Sequence, residues 1–303
     1  MIHQPFITGV RAIDALLTSG VGQRVGIFAP AGVGKTSLLS MLASFADVDA
    51  VVVALIGERG REVQEFIERG LGAKAFEHSV VVVATSDRPA AERIKAAHTA
   101  SAIAEGFRAQ GKRVLLLLDS LTRFARALRE VGLAAGEPPA RRGFPPSVFS
   151  ALPGLLERSG CDEFGSITAF YTVLAEDEDG GDPVCEEARS LLDGHIVLSS
   201  EIAASGQYPA IDILASKSRV MQGVCDRQHI AMAGLVRKWM AEYKKSELLI
   251  RLGEYKEGID RELDEAVSQR PSINQLLRQS SDDFSAWDET MALLRGITGD
   301  PTS

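Results

Sequence analysis

Short valine-rich or leucine-rich runs recur along the first two thirds of the chain, at Arg24–Ala29, Ala50–Ile56, Ser79–Thr85, Arg113–Asp119, Ser166–Leu174 and His195–Ser199, with helix-length segments between most of them. A strand with one wet face alternates polar and apolar residues. These runs do not alternate, so they predict strands buried on both faces, as in a mostly parallel sheet covered by helices on each side. The predicted core is α/β. After about Val220 the strand signal stops. The stretches HIAMAGLVRKWMAEYKKSELLIRLGEY, IDRELDEAVSQ, SINQLLRQ and AWDETMALLRGI carry helical patterning with charged faces. They predict a second, smaller α-helical unit, which divides the chain into residues 1–225 and 226–303. Gly253, Gly258 and Pro271 fall where helices would end or begin.

Size and composition fit this division. The chain has 303 residues, 45% hydrophobic and 24% charged, enough for one large core with a smaller appendage. The longest purely apolar stretch, Ala50 to Gly57, is eight residues, against roughly 18 to 20 needed to cross a bilayer. The N-terminus MIHQPFITGVRAID lacks a basic region followed by an apolar one, so a cytoplasmic location is expected. A formal charge of −8 would repel polyanions, and no aromatic-plus-basic tract is present, so nucleic acid is not an expected partner. Cys161, Cys185 and Cys225 have no C-x-x-C spacing and are read as reduced thiols, small hydrophobes in the core. The five histidines show no metal-ligand pairing. The acidic segment Glu176–Pro183 lacks the glycine and the terminal glutamate of a calcium loop and is read as a solvated turn.

Chemistry enters at APAGVGKTS. A strand, RVGIFA, runs into this glycine loop, and the helix-like LLSMLASFA follows, which is the order a phosphate-binding loop requires. In the loop Ala31, Gly32, Val33, Gly34, Lys35, Thr36 and Ser37, the glycines let backbone amides curl around phosphate oxygens. Lys35 reaches the terminal phosphates and Thr36 offers a hydroxyl to magnesium. Ala29 stands where the strict pattern has glycine. A second strand, RVLLLLD, brings Asp119 to the same sheet edge if the strands are parallel. There it is placed to hold magnesium through water, or to cap the following helix, or both. A third, VVVALI, runs into GERGREV, where Glu58 could orient or deprotonate an attacking water or could simply favour a helix start. Spacing does not separate those two roles. Glu62 is the weaker candidate base.

The blocks APAGVGKTS, LIGERGREV, LLLLDSLTRFARA, GEPPARRGFPPSVF, SITAFYTVL, LDGHIVLS and YPAIDILASKSRVM occur in that order. Together they resemble the type III secretion ATPase family, relatives of the catalytic subunit of rotary ATP synthases. The resemblance implies a RecA-like ATP-binding domain with a C-terminal helical domain, and a homohexameric ring peripheral to the inner membrane at the cytoplasmic base of a secretion apparatus. Its implied partners are stalk and regulator proteins and chaperone–effector complexes, and its implied work is magnesium-dependent ATP hydrolysis that releases chaperones and unfolds export substrates. By the same resemblance Lys35 and Thr36 match phosphate and magnesium ligands, Glu58 the catalytic glutamate and Arg59 its adjoining arginine. Asp119 fits the acidic strand end, Tyr208 resembles the aromatic beside adenine, and Arg219 resembles an arginine finger supplied to the neighbouring subunit. SDRPAAERIKAA looks more like the injectisome branch than the flagellar one. Family members carry an N-terminal β-barrel that helps ring assembly, whereas this chain opens at the linker before TGVRAID. A largely monomeric, weakly active protein at low concentration is therefore expected. A non-catalytic ring subunit is the alternative of a different class, and Glu58 argues against it.

Overall fold

A computed structural model describes residues 2–175 and 181–299. Strands β1 (Pro5–Phe6) and β2 (Ser19–Gly20) form a small antiparallel ribbon. The central sheet is built from β3 (Arg24–Ala29), β4 (Ala50–Ile56), β5 (Ser79–Ala84), β6 (Arg113–Asp119), β7 (Gly160–Cys161), β8 (Ser166–Leu174), β9 (Gly194–Leu198) and β10 (Ile211–Ser218). Among the described residues its order is β10-β9-β3-β8-β6-β4-β5, with β7 paired to β8. β3, β4, β5, β6, β8 and β9 run parallel; β10 and β7 are antiparallel to their neighbours.

The absence of alternation in the central strands has its cause in two separate cores. Val51, Val53 and Leu55 of β4 face one apolar cluster, together with Leu38, Leu39 and Leu42 of the helix Lys35–Phe45. Val52, Ala54 and Ile56 face the other, with Ala97, Ala100 and Ala104 of the helix Ala90–Arg108. Both sides of the strand are thus dry, and each fully buried Leu or Val contributes about 1.5–3 kcal/mol. β5 departs from this. It is the sheet edge and only half buried despite its valines, with Val83 exposed.

The pattern along the chain does not reveal β10. Its sequence IDILASKS alternates weakly because it is the opposite edge, antiparallel, with a register shift between Asp212 and Lys217. Asp212 sustains that irregularity by accepting the amides of Leu214 and Ala215 at 2.9 and 3.0 Å.

Past Asp226, helices Arg227–Arg251, Arg261–Leu277 and Trp287–Thr298 bury Val236, Trp239, Ala266, Ile273 and Leu294 in the same cluster that receives Ile13 and Leu16. Gly253 and Gly258 have positive φ outside the helices, at +73° and +90°. Pro271 corrects the sequence reading: it lies inside Arg261–Leu277, which is one continuous helix. Proline removes one intrahelical hydrogen bond, but Ala266 before it and Ile273, Leu276 and Leu277 after it anchor both halves in one core. Cys161 is a second correction. It is exposed, in a two-residue strand at a sheet margin, while Cys185 is buried and Cys225 half-buried. Residues 176–180 of the acidic segment read as a turn lie outside the described residues; Asp182 caps the helix Pro183–Leu191 by accepting the Val184 amide at 2.8 Å.

Candidate nucleotide site

β3, β4 and β6 release their chains at one edge of the sheet, so the glycine loop, Glu58 and Asp119 emerge together; open parallel sheets bind ligands at this carboxyl edge. In the loop, Val33 is buried and pins the turn to the core, while Ala31 and Gly32 are exposed. Gly32 and Gly34 have φ of +79° and +90°, values that cost an L side chain roughly 1–2 kcal/mol. A Cβ on Gly32 would meet nothing within 4 Å, so the space beside the loop is open. The helix opens at Lys35 with Gly34 as its cap, and the loop-proximal bond runs from the Leu38 amide to the Gly34 carbonyl at 3.0 Å. The amides of Lys35, Thr36 and Ser37 precede that bond and stay available to an anion. Thr36 and Ser37 are exposed there.

Lys35 turns toward the carboxylates. Its Nζ lies 2.6 Å from Asp119 Oδ1 and 3.6 Å from Glu58 Oε1. Asp119 also accepts the Thr172 hydroxyl at 2.6 Å, from the strand between β3 and β6. It does not cap the following helix: Ser120 does, accepting the Arg123 amide. Glu58 is directed by Gly57, whose φ of +71° turns the chain out of β4 while the Arg123 side chain closes over the glycine. Buried Oε1 of Glu58 has no hydrogen-bond partner. Burial pushes the Glu58 carboxyl up to about 7; the Asp119 charge adds to this, and Lys35 opposes it. Glu62 shares a hydrogen bond with Glu58 that raises Glu58 and is the main cause holding Glu62 below the usual carboxylate range. The proton of that pair therefore rests on Glu58.

Tyr208 is 48% exposed, and its ring edge lies 3.4 Å from where a Cβ on Gly34 would stand, so the aromatic flanks the loop. Arg59 is exposed and ion-paired to Glu62 at 3.9 Å. Arg219 is not brought to this site within the chain. It follows β10 at the opposite edge of the sheet, with its amide on the Asp193 carbonyl and its guanidinium on the Arg189 carbonyl, each at 3.0 Å. Thr172 and Arg123 are site residues that the sequence reading missed. Nothing in SITAFYTVL distinguishes a buried threonine facing a carboxylate from one facing the core, and Arg123 reads as one basic residue among several in LTRFARALRE.

A cavity of about 510 Å³ adjoins Thr36, lined among others by Ser37, Ser40, Glu62, Arg69 and Ser281. The residues present fit magnesium beside a bound phosphate: Thr36 is exposed at the helix start, and the buried Asp119 and Glu58 carboxylates, both paired to Lys35, emerge at the same sheet edge as the glycine loop.

A glycine loop at a helix N-terminus, with two acidic strand ends beside it on a parallel sheet, defines a P-loop ATPase fold. The nucleotide-binding domain of the ATP synthase alpha/beta family matches residues 9–218, and the C-terminal domain of the type III secretion ATPase EscN matches residues 225–296. A type 3 secretion system ATPase of Xanthomonas euvesicatoria is 58% identical over 99% of this chain and 68% of its own length. The flagellum-specific ATP synthase of Bacillus subtilis is 51% identical over 98% and 68%. Assembled EscN from enteropathogenic E. coli superposes with a TM-score of 0.95 at 55% identity, covering 99% of this chain and 72% of that one. EscN in complex with its central stalk EscO gives 0.94 at 54%, with the same coverage. The chain belongs to the type III secretion ATPase family. It spans about two thirds of the length of the curated relatives it matches. Among the described residues no helix is long and apolar enough to cross a membrane.

Proposed function

We propose that this chain hydrolyses ATP to energise type III protein export, releasing chaperones from export substrates and helping to unfold them at the inner-membrane base of the apparatus. The observation that carries the reading is the convergence of the Asp119 and Glu58 carboxylates on Lys35, at the start of the helix that follows the glycine loop. The loop amides and Lys35 bind the triphosphate, for which Lys35 leaves Asp119. Thr36, and Asp119 through water, would hold magnesium, which when bound supplies positive charge to the phosphate oxygens. Glu58 accepts a proton from water as its oxygen bonds to the γ-phosphorus and the bond to the bridging oxygen breaks, giving ADP and phosphate. Tyr208 packs beside the adenine. Arg59 adjoins the site.

Arg219, exposed at the far sheet edge, completes the site of a neighbouring subunit in a ring such as that of assembled EscN. A guanidinium stays charged and forks around phosphoryl oxygens, and such fingers are worth on the order of 1,000 to 100,000-fold. The injectisome role is favoured by the 58% identity to the Xanthomonas protein against 51% to the flagellar one.

The test is magnesium-dependent hydrolysis across a protein dilution series. Specific activity should rise with concentration. Arg219→Ala and Lys35→Ala should each abolish it, and mixing the two should restore part of it through sites that pair an intact Lys35 with an intact neighbouring Arg219. No recovery on mixing would overturn the shared site.

A further inference from the structure

The loop after the helix Arg261–Leu277 belongs to the C-terminal helical unit, yet it touches both the helix that follows the phosphate loop and the segment that carries Tyr208. Phe284 packs edge-on against Phe45, at the end of the helix that begins at the phosphate loop, with ring centroids 5.8 Å apart. Gln279 reaches the Tyr208 segment: its backbone amide donates to the Tyr208 carbonyl at 2.9 Å.

The side chain of Gln279 is buried, and both ends of its carboxamide are hydrogen-bonded. Oε1 accepts the Arg11 amide at 2.8 Å, and Nε2 donates to the Gly9 carbonyl at 2.8 Å and to the Asp283 carbonyl at 2.5 Å. These bonds use both donors of the carboxamide and one of the two acceptor sites on its oxygen. A flipped amide would place nitrogen against an N–H and oxygen against two carbonyls, so the orientation is determined. The tie is reinforced by Arg11, whose guanidinium donates to the Leu276 and Arg278 carbonyls and pairs with Asp283 at 3.0 Å. One residue of the helical unit therefore fastens the N-terminal segment, its own loop and the backbone of Tyr208, whose ring lies against Gly34.

We propose that Gln279 is a positioning residue that holds Tyr208 against the phosphate loop, so that affinity for the nucleoside part of the nucleotide depends on how the C-terminal unit is seated. The inference rests on the reading of Tyr208 as the aromatic beside the adenine. It predicts a separation between base and phosphate recognition: loosening Gln279 displaces the ring but leaves the amides of the loop and Lys35 in place.

The experiment compares Gln279→Leu, Tyr208→Ala and the double variant, using ATP and inorganic tripolyphosphate, each with magnesium. Gln279→Leu leaves the buried Gly9 carbonyl and Arg11 amide without partners. It should raise KM for ATP about tenfold, a shift worth about 1.4 kcal/mol. Its kcat should stay within twofold and its tripolyphosphate affinity should be unchanged. Tyr208→Ala should show the same pattern, and the double variant should lose little more than either single one. ATP affinity intact in Tyr208→Ala refutes the aromatic's role and the inference with it. Affinity weakened there but intact in Gln279→Leu refutes the inference alone. Equal loss of ATP and tripolyphosphate affinity in Gln279→Leu, or full additivity in the double variant, also overturns it. Should Gln279→Leu fail to fold, Arg11→Ala, which removes the outer part of the same tie, must show the same split with a smaller amplitude; no split there overturns the proposal.

Discussion

Replacing Glu58 by Gln keeps the side-chain volume and removes the carboxylate that titrates. In the wild type this group is pushed up to about 7, chiefly by burial and next by Asp119. A base works only when deprotonated, so the sign is fixed: kcat/KM should rise with pH through about 7 and level off above it. With that value the deprotonated fraction is about 0.9 at pH 8 and about 0.1 at pH 6, so the wild type should lose about tenfold between them. Glu58→Gln should abolish this limb and lower turnover by about 100 to 10,000-fold, the usual worth of a general base, while ATP still binds. Glu62→Gln should move the inflection downward, since the Glu62 hydrogen bond helps keep the proton on Glu58. The assay is steady-state hydrolysis from pH 5.5 to about 8.5, paired with equilibrium nucleotide binding. A flat wild-type profile, or full turnover in Glu58→Gln, would refute the assignment of the base.

Gly34→Ala should cost about 1–2 kcal/mol in thermal unfolding and weaken nucleotide binding, because φ is +90° there and relieving the strain would shift the loop amides; unchanged binding would show that the loop does not shape the site. Asp14→Ala should destabilise the protein by about 3–5 kcal/mol in urea unfolding, since it strands the amides of Thr8 and Gly9 and the Thr8 hydroxyl, which the buried carboxylate accepts at 2.7 to 2.9 Å. Leu42→Ala, at a fully buried position beneath the sheet, should cost about 2–5 kcal/mol with nucleotide affinity retained in the folded fraction.

The α/β core and the phosphate loop were legible in the sequence because they are written in local chemistry. A strand dry on both faces must be apolar at successive positions, as Ala50–Ile56 is. A loop with positive φ favours glycine, as at Gly32 and Gly34. Asp119 and Glu58 were legible for the same reason, each ending an apolar run. The sequence did not show β10, whose edge position relaxes the pattern, or the continuity of the helix through Pro271, which depends on packing from both sides.

Local sequence determined which residues carry the charge and hydrogen-bonding capacity for phosphate chemistry; tertiary structure alone decided which of them meet. Lys35 and Asp119 stand 84 positions apart and touch at 2.6 Å. Thr172 and Arg123 join them by strand order and by the closure of a helix over Gly57, while Arg219 is carried to the opposite sheet edge. Gln279 ties Gly9 from 270 positions away. Burial sets the Glu58 proton near neutrality, and burial is a property of the packed molecule, because desolvation comes from neighbours that are distant along the chain.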